Sequence, residues 1–292
     1  MKFEKTKVPY PMPPAVSEEK HEEFMAWAVK QNLPRIKAKP IGDGILTIVG
    51  YGPSLEDTWQ KITPPLICTS NSLKFLVGKG LEPGPGWHYA MADPRPNNLD
   101  FIRDPVISGV TYLMASVCHP KVWRILAGER VILWHAISGE HTPEWVRAND
   151  PGTWLVGAGS TIGLCALHLG GFLGYRKFEV HGFDGSFRDG RRHAGTHNGH
   201  EQAQIHSTIN GAYMTSKIMD NANVEVQNTL KSFPVFCVFH GAGLMQDWVG
   251  KAGLSNAAID GSPQADRIRG AKFRDLSQPE VEALKKAGVP VL

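Results

Sequence analysis

Cysteine is scarce: four residues in 292, Cys68, Cys118, Cys165 and Cys237, with no two close enough to form a CxxC pair. Each sits in an apolar segment, where a free thiol behaves as a small hydrophobe, so neither a disulfide framework nor a zinc knuckle is expected. Long hydrophobic runs are also missing. The longest, such as 45–49 and 131–134, are strand-sized, well short of the roughly 18 to 20 residues that span a bilayer, so no membrane span is expected. Charge of one sign is not in excess either, with 31 Lys and Arg against 28 Asp and Glu for a net charge of +3. The only dense basic knot is residues 188–192, too short for the clustered cations that a nucleic-acid backbone needs, so no nucleic-acid partner is expected. The opening segment MKFEKTKVPYPMPP alternates charge and proline and has no apolar core of the kind a secretion signal carries, which makes the expected location cytoplasmic. No internal repeat or low-complexity tract appears.

What is present is the material of a large core: 42% of residues are apolar and 20% charged in 32.0 kDa. Residues 1–44 read as an N-terminal helical appendage, proline-rich and then helical over 17–32, where Phe24, Trp27 and Ala28 form one apolar stripe. From Ile45 onward, short β-branched or apolar runs alternate with helix-length segments. The expected fold is therefore α/β, a doubly wound, mostly parallel Rossmann-like sheet of about seven strands with helices on both faces. Strands are expected at 45–50, 66–69, 88–92, 110–116, 131–135, 178–182 and 224–227, and helices at 54–62, 71–79, 120–127, 160–175 and 200–221. Residues 45–230 would form the nucleotide-binding catalytic domain and 231–292 a C-terminal helical extension. In the extension, Ser277 and Glu280 make an N-terminal capping box and Gly288 a helix stop.

Ligands of open α/β sheets bind beyond the carboxyl ends of the strands, so the residues that follow each apolar run carry the functional information. Gly50, Gly52 and Pro53 turn the first strand into a helix that opens with Ser54. Such a turn aims backbone N–H groups at a phosphate, or is simply a tight turn that needs glycine. Asn71 and Ser72, with Ser70, stand at the next junction, as helix caps or ligand contacts. Asp93 and Arg95, between two prolines, end the third strand. There Asp93 would hold a ribose hydroxyl or a metal and Arg95 a phosphate, or the two would form a surface ion pair. Gly159, Ser160 and Thr161 open a helix that is apolar on nearly every face and offer a second anion site.

A polar, glycine-rich loop then follows the strand that ends at Gly182, with Asp184, Arg188, Asp189, Arg191, Arg192, His193, His197 and His200. Five of the twelve histidines lie between His181 and His206, which points to acid/base or leaving-group chemistry near neutral pH. The spacing of His193, His197 and His200 also suits a metal if helical, but Gly195 and Gly199 argue against a regular helix, and no metal site is expected. His168 reads as a core histidine. His240, after a later apolar run, is left open.

Taken in order, GYGPSL, SNS, DPRP, GSTIG and GFDGSFRDGRRHA resemble the MptE-like family, which includes motility accessory factor (Maf) type flagellin glycosyltransferases and archaeal 6-hydroxymethylpterin diphosphokinases. The resemblance spans residues 46–227. The arrangement is also similar to bacterial sialyltransferases that use CMP-sialic acid. These resemblances imply a nucleotide-dependent transferase, a glycosyltransferase first and a diphosphokinase second, with a non-catalytic nucleotide-binding protein as a third reading. By resemblance, Gly50, Gly52 and Ser54 hold the nucleotide phosphate, Asn71 holds the nucleotide, and Asp184 organises the late loop. His193 falls where the sialyltransferases have a phosphate-binding tyrosine, and His197 or His200 would be the base. Arg188, Arg191, Arg192 and His193 would stabilise the leaving phosphate, so no cofactor is required; the diphosphokinase reading would need Mg²⁺. The implied partners are a nucleotide or nucleotide-sugar donor and a small-molecule, glycan or protein acceptor, and a homo-oligomer is compatible with both. Two departures from the patterns stand out: Tyr51 replaces a small polar residue in the first turn, and Asp93 is followed by Pro94 and Arg95 rather than by a second acid.

Overall fold

Apolar runs that leave both faces of a strand buried are the mark of a parallel sheet covered on both sides. Strands β1 (Ile45–Val49), β2 (Leu66–Thr69) and β4 (Thr111–Ala115) are of this kind, with almost every residue buried. They belong to a nine-stranded sheet in a computed structural model that describes residue 10 and residues 14–137, 141–157, 159–195, 204–206, 213–232 and 235–272. The other members are β3 (Trp87–Met91), β5 (Arg130–Ala136), β6 (Leu155–Val156), β7 (Lys177–His181), β10 (Phe236–Phe239) and β11 (Ala257–Ile259). Their order is β11-β10-β7-β1-β2-β3-β4-β5-β6, and every pairing is parallel. The chain winds outward from β1 to β6, returns beside β1 as β7, and winds outward again on the other side. The expected α/β class and the parallel, doubly wound sheet are borne out.

The return is made by α6 (Ile162–Phe172), which is buried on almost every side and packs on β1, β2 and β3. Leu46 and Phe178 face it, whereas the alternate residue Glu179 meets Arg269 of α9 (Pro263–Gly270), so helices cover both sheet faces. Shorter helices fill the remaining connections: α2 (Leu55–Thr58), α3 (Ser72–Gly78), α4 (Lys121–Ile125) and α5 (Thr142–Asn149). Two more, α7 (Lys217–Ser232) and α8 (Leu244–Ala252), follow β7 and β10, and a short antiparallel pair, β8 (Gln204–His206) and β9 (Met214–Ser216), precedes α7.

Three expectations need correction. The run 224–227 is not a strand: it lies within α7, where Asn223, Val226 and Leu230 share a buried face at helical spacing. Val224 and Val226 alternate over too few residues to separate the two periods. The helix expected at 200–221 is replaced, where described, by β8, β9 and the start of α7. Residues beyond 230 are not all helical, since β10 and β11 extend the sheet from β7. The helix expected after Ser277 lies outside the described residues.

The N-terminal helix forms as α1 (Glu18–Val29), with Ser17 accepting from the Lys20 amide and Phe24, Met25 and Ala28 buried. The chain then runs along the outer edge of β5, where Leu133 N–H donates to the Pro34 carbonyl and Ile36 N–H to that of Leu133, each at 2.8 Å. A relay that runs from half-buried to fully buried side chains secures this edge. Arg35 donates to both oxygens of Asp150, His135 Nε2 lies 2.9 Å from Asp150 Oδ2, and His135 Nδ1 lies 2.8 Å from Ser116 Oγ. All four cysteines are free and buried, and burial pushes the thiols of Cys68 and Cys118 up to about 12, which keeps them protonated and inert. Among the described residues no helix is long and apolar enough to cross a membrane.

Candidate active site

The strands on either side of the β1/β7 boundary lead away in opposite directions, which opens a crevice at their carboxyl ends. The loops that follow them press together. A Cβ on Gly50 would lie 2.5 Å from the Gly182 carbonyl oxygen, and one on Gly52 2.5 Å from the Asp184 carboxylate, so both positions require glycine. The Gly52 amide donates to the Gly182 carbonyl at 2.9 Å.

Asp184 then closes the space above α2. Its Oδ2 accepts the Ser54 amide at 2.7 Å and its Oδ1 accepts the Ser54 hydroxyl, both groups being buried. Burial pushes the Asp184 carboxyl up to about 6 even though the Ser54 hydrogen bonds work against that rise. The expected contact of Ser54 with a ligand phosphate is therefore replaced by a contact within the chain, and Pro53 gives its carbonyl to Arg188 at 3.0 Å. Asp184 thus ties the late loop to the start of α2.

The same substitution occurs at α6. Ser160 donates its amide and its hydroxyl to Glu225 of α7, at 2.8 and 2.6 Å, so the second expected anion site also holds the chain's own carboxylate. Gly159 and Thr161 flank this contact, and Thr161 makes no side-chain cap. Ser72 is buried and ties the ends of β1 and β2 together, its hydroxyl lying 2.9 and 2.7 Å from the carbonyls of Val49 and Thr69 and accepting the Thr69 amide. Asn71 stands just before α3, and its side chain caps nothing.

The late loop divides its cations. Residues 188–191 form a tight turn in which Arg188 and Arg191 exchange backbone hydrogen bonds of 3.0 and 2.9 Å, with Asp189 and Gly190 both left-handed. Arg188 pairs with Asp57, and Arg191 places Nη1 at 3.1 and 3.0 Å from the two oxygens of Glu56. These two arginines are spent on the first turn of α2 rather than left for a leaving group. Arg192 differs: it is partly buried, its Nε has no hydrogen-bond partner, and no ion pair engages it among the described residues. Burial, and then the charge of Arg95, lower its pKa. Arg95 is itself held by Asp93 through a two-oxygen contact, Nε lying 3.0 and 3.2 Å from the carboxylate oxygens. Asp93 and Arg95 thus form the ion pair that the sequence allowed, and both Asp93 oxygens are engaged.

His193 stacks on Tyr51 with ring centroids 5.4 Å apart, and the Tyr51 carbonyl accepts the Ala194 amide. Tyr51 also meets Phe75 edge-on. Tyr51 therefore packs with both Phe75 and His193, while Arg95 lies close enough to Arg192 for its charge to act on it. His197 and His200 lie outside the described residues. Among the described residues no cluster of histidine, cysteine and acidic side chains is arranged to hold a metal.

Sequence reasoning missed the carboxylates Glu56, Asp57 and Glu225. The first two carried only the ordinary signal of acidic residues in a first helical turn, and Glu225 carried none, because it lies 65 residues from its partner. His168 is a core residue with its pKa lowered to about 4 by burial. His240 turns away from the crevice. It stacks on His181 at 3.9 Å and reaches Glu179 at 2.5 Å, and with Lys61, Asp260 and Arg269 it lines a cavity of about 460 Å³.

No protein-family model matches this chain, and no curated protein does. Among solved structures it is similar to the Maf glycosyltransferase from Magnetospirillum magneticum AMB-1, with a TM-score of 0.59 over 94% of this chain at 14% sequence identity. The chain spans 42% of that protein's length. The expected resemblance to Maf-type proteins is borne out at the level of the fold.

Proposed function

We propose that this chain is a transferase of the glycosyltransferase kind whose donor is a nucleotide-activated sugar, CMP-linked sugars included. The observation that carries the reading is Arg192, a partly buried guanidinium without a counter-charge among the described residues, beside Arg95 at the carboxyl edge of a Maf-like sheet. Desolvating a cation is costly, and an anion bound beside Arg192 offsets that cost. A phosphate group is the anion that a nucleotide donor brings.

In the proposed reaction an acceptor hydroxyl attacks the anomeric carbon as the bond from that carbon to the donor phosphate oxygen breaks. The electron pair leaves with the phosphate, whose charge Arg192 stabilises. The acceptor proton passes to a base, for which His197 and His200 are the candidates by resemblance. Asn71, whose side chain makes no cap hydrogen bond at the start of α3, and the Tyr51 and Phe75 rings offer a polar contact and an apolar wall for the nucleoside. No metal is required on this reading, and the acceptor is a small molecule, a glycan or a protein.

The test is thermal-shift titration of wild type and Arg192→Gln with CMP, UDP, GDP, ADP and ATP, each with and without Mg²⁺. A ligand that binds the native state raises its stability by about RT ln(1 + [L]/Kd). Stabilisation by CMP or another nucleotide without Mg²⁺, lost in Arg192→Gln, is the expected result. Stabilisation by ATP alone and only with Mg²⁺ would favour pyrophosphoryl transfer instead. Binding without turnover of any donor would leave a nucleotide-binding protein, and no shift with any nucleotide would sink the proposal.

A further inference from the structure

We infer that Glu56 is a positioning residue: its carboxylate clips the late loop onto α2 and so aims Arg192 and His193 at the crevice, an inference that rests on the transferase reading. Its Oε1 accepts the Gly195 amide at 2.7 Å, and both of its oxygens receive Arg191. One turn of backbone away, the Tyr51 carbonyl accepts the Ala194 amide. Residues 191, 194 and 195 are therefore pinned on either side of the pair 192–193. Arg192 is left facing the charge of Arg95, and His193 lies against the Tyr51 ring.

Magnitudes separate this role from a stabilising one. Glu56 and Arg191 side chains are 27% and 36% exposed, and ion pairs of that exposure add little to global stability. The main anchor of the late loop, Asp184 on Ser54, is buried and does not depend on Glu56. Loss of Glu56 should consequently loosen the loop locally, without unfolding the domain, and should weaken anion binding at Arg192.

The experiment pairs amide hydrogen exchange on the ligand-free protein with calorimetric titration of CMP and of inorganic phosphate, for wild type, Glu56→Ala and Glu56→Gln. Glu144→Gln, which removes an exposed ion pair to Arg147 elsewhere, is the control. In Glu56→Ala the amides of Ala194 and Gly195 should exchange about tenfold faster or more, with the Ser54 amide unchanged. CMP affinity should fall about tenfold, while the thermal midpoint moves little. Glu56→Gln keeps an acceptor for Gly195 but no counter-charge for Arg191, and should fall between the two. Wild-type exchange in Glu56→Ala would overturn the clip, and faster exchange with unchanged CMP affinity would overturn the positioning role. Failure of wild type to bind either CMP or phosphate is a separate outcome: it overturns the transferase reading and with it the aim of Arg192, while the exchange data still report on the clip.

Discussion

The carboxylate of Asp184 occupies the place above the first turn of α2 where a ligand phosphate was expected, and takes both the amide and the hydroxyl hydrogen of Ser54. A helix start that looks in sequence like an anion cradle is thus filled by the chain itself, whereas Arg192 has no carboxylate partner among the described residues.

The Asp184 carboxyl couples stability to pH. It titrates at about 6 when folded, against an ordinary value of 3.8, because burial disfavours its charged form. The native state therefore holds this proton more tightly than the unfolded chain does. The stability it contributes is complete below about pH 4 and is lost as pH rises through 6, a loss on the order of 3 kcal/mol. Asp184→Asn has no charge to bury, and since more than half of the loss is already complete at pH 5, its thermal midpoint should improve relative to wild type by about 2 to 3 °C between pH 5 and pH 8. The same gap between the two proteins at both pH values would contradict this account.

Ser54→Ala removes a hydroxyl that serves a buried carboxylate. A hydrogen bond to a charged group contributes about 1.5 to 3 kcal/mol, so urea unfolding at pH 7.5 should show a loss of that size. Because the Ser54 donors point at Asp184, nucleotide affinity should change by less than about threefold. A variant of wild-type stability with nucleotide binding abolished would restore Ser54 as a direct phosphate ligand.

Arg192 should trade stability for binding. Arg192→Gln relieves the burial of a cation that has no carboxylate partner among the described residues and feels the charge of Arg95, and should raise the thermal midpoint of the ligand-free protein while weakening nucleotide binding about tenfold or more. Arg191→Gln, which removes the guanidinium that both Glu56 oxygens hold, should not raise it. A lower midpoint for Arg192→Gln would show that this side chain supports the fold, and would remove the observation on which the proposed function stands.

The layering of this molecule was legible because buried parallel strands are written as short apolar runs and because Gly50, Gly52 and Gly182 mark where two loops must touch. Legibility failed where a pattern was too short, as at Val224 and Val226, or where the deciding partner was remote, as with Glu225 for Ser160. It failed for the arginines for a different reason. Arg188, Arg191 and Arg192 look equivalent in a run, and only the left-handed turn at Asp189 and Gly190 sends two of them to α2 and leaves the third facing Arg95.

The relay Arg35–Asp150–His135–Ser116 provides a test of the sheet's far edge. Asp150 is held below the ordinary carboxylate range: burial would raise it, but hydrogen bonds from Arg35 and His135 outweigh that effect. Replacing it by alanine leaves Arg35 without its carboxylate partner and a fully buried His135 with one ring nitrogen unsatisfied. Leaving these partners, half-buried Arg35 and fully buried His135, unsatisfied should cost about 1 to 3 kcal/mol, whereas Asp150→Asn keeps an acceptor and should cost less. The damage should be local in kind, loosening residues 34–36 from β5 before the central strands, since Arg35 is the side chain that ties that segment to Asp150. Hydrogen exchange should therefore show early loss of protection at the Ile36 and Leu133 amides in Asp150→Ala. Uniform loss across β1, β2 and β4 instead would mean that the relay supports the whole sheet rather than its edge.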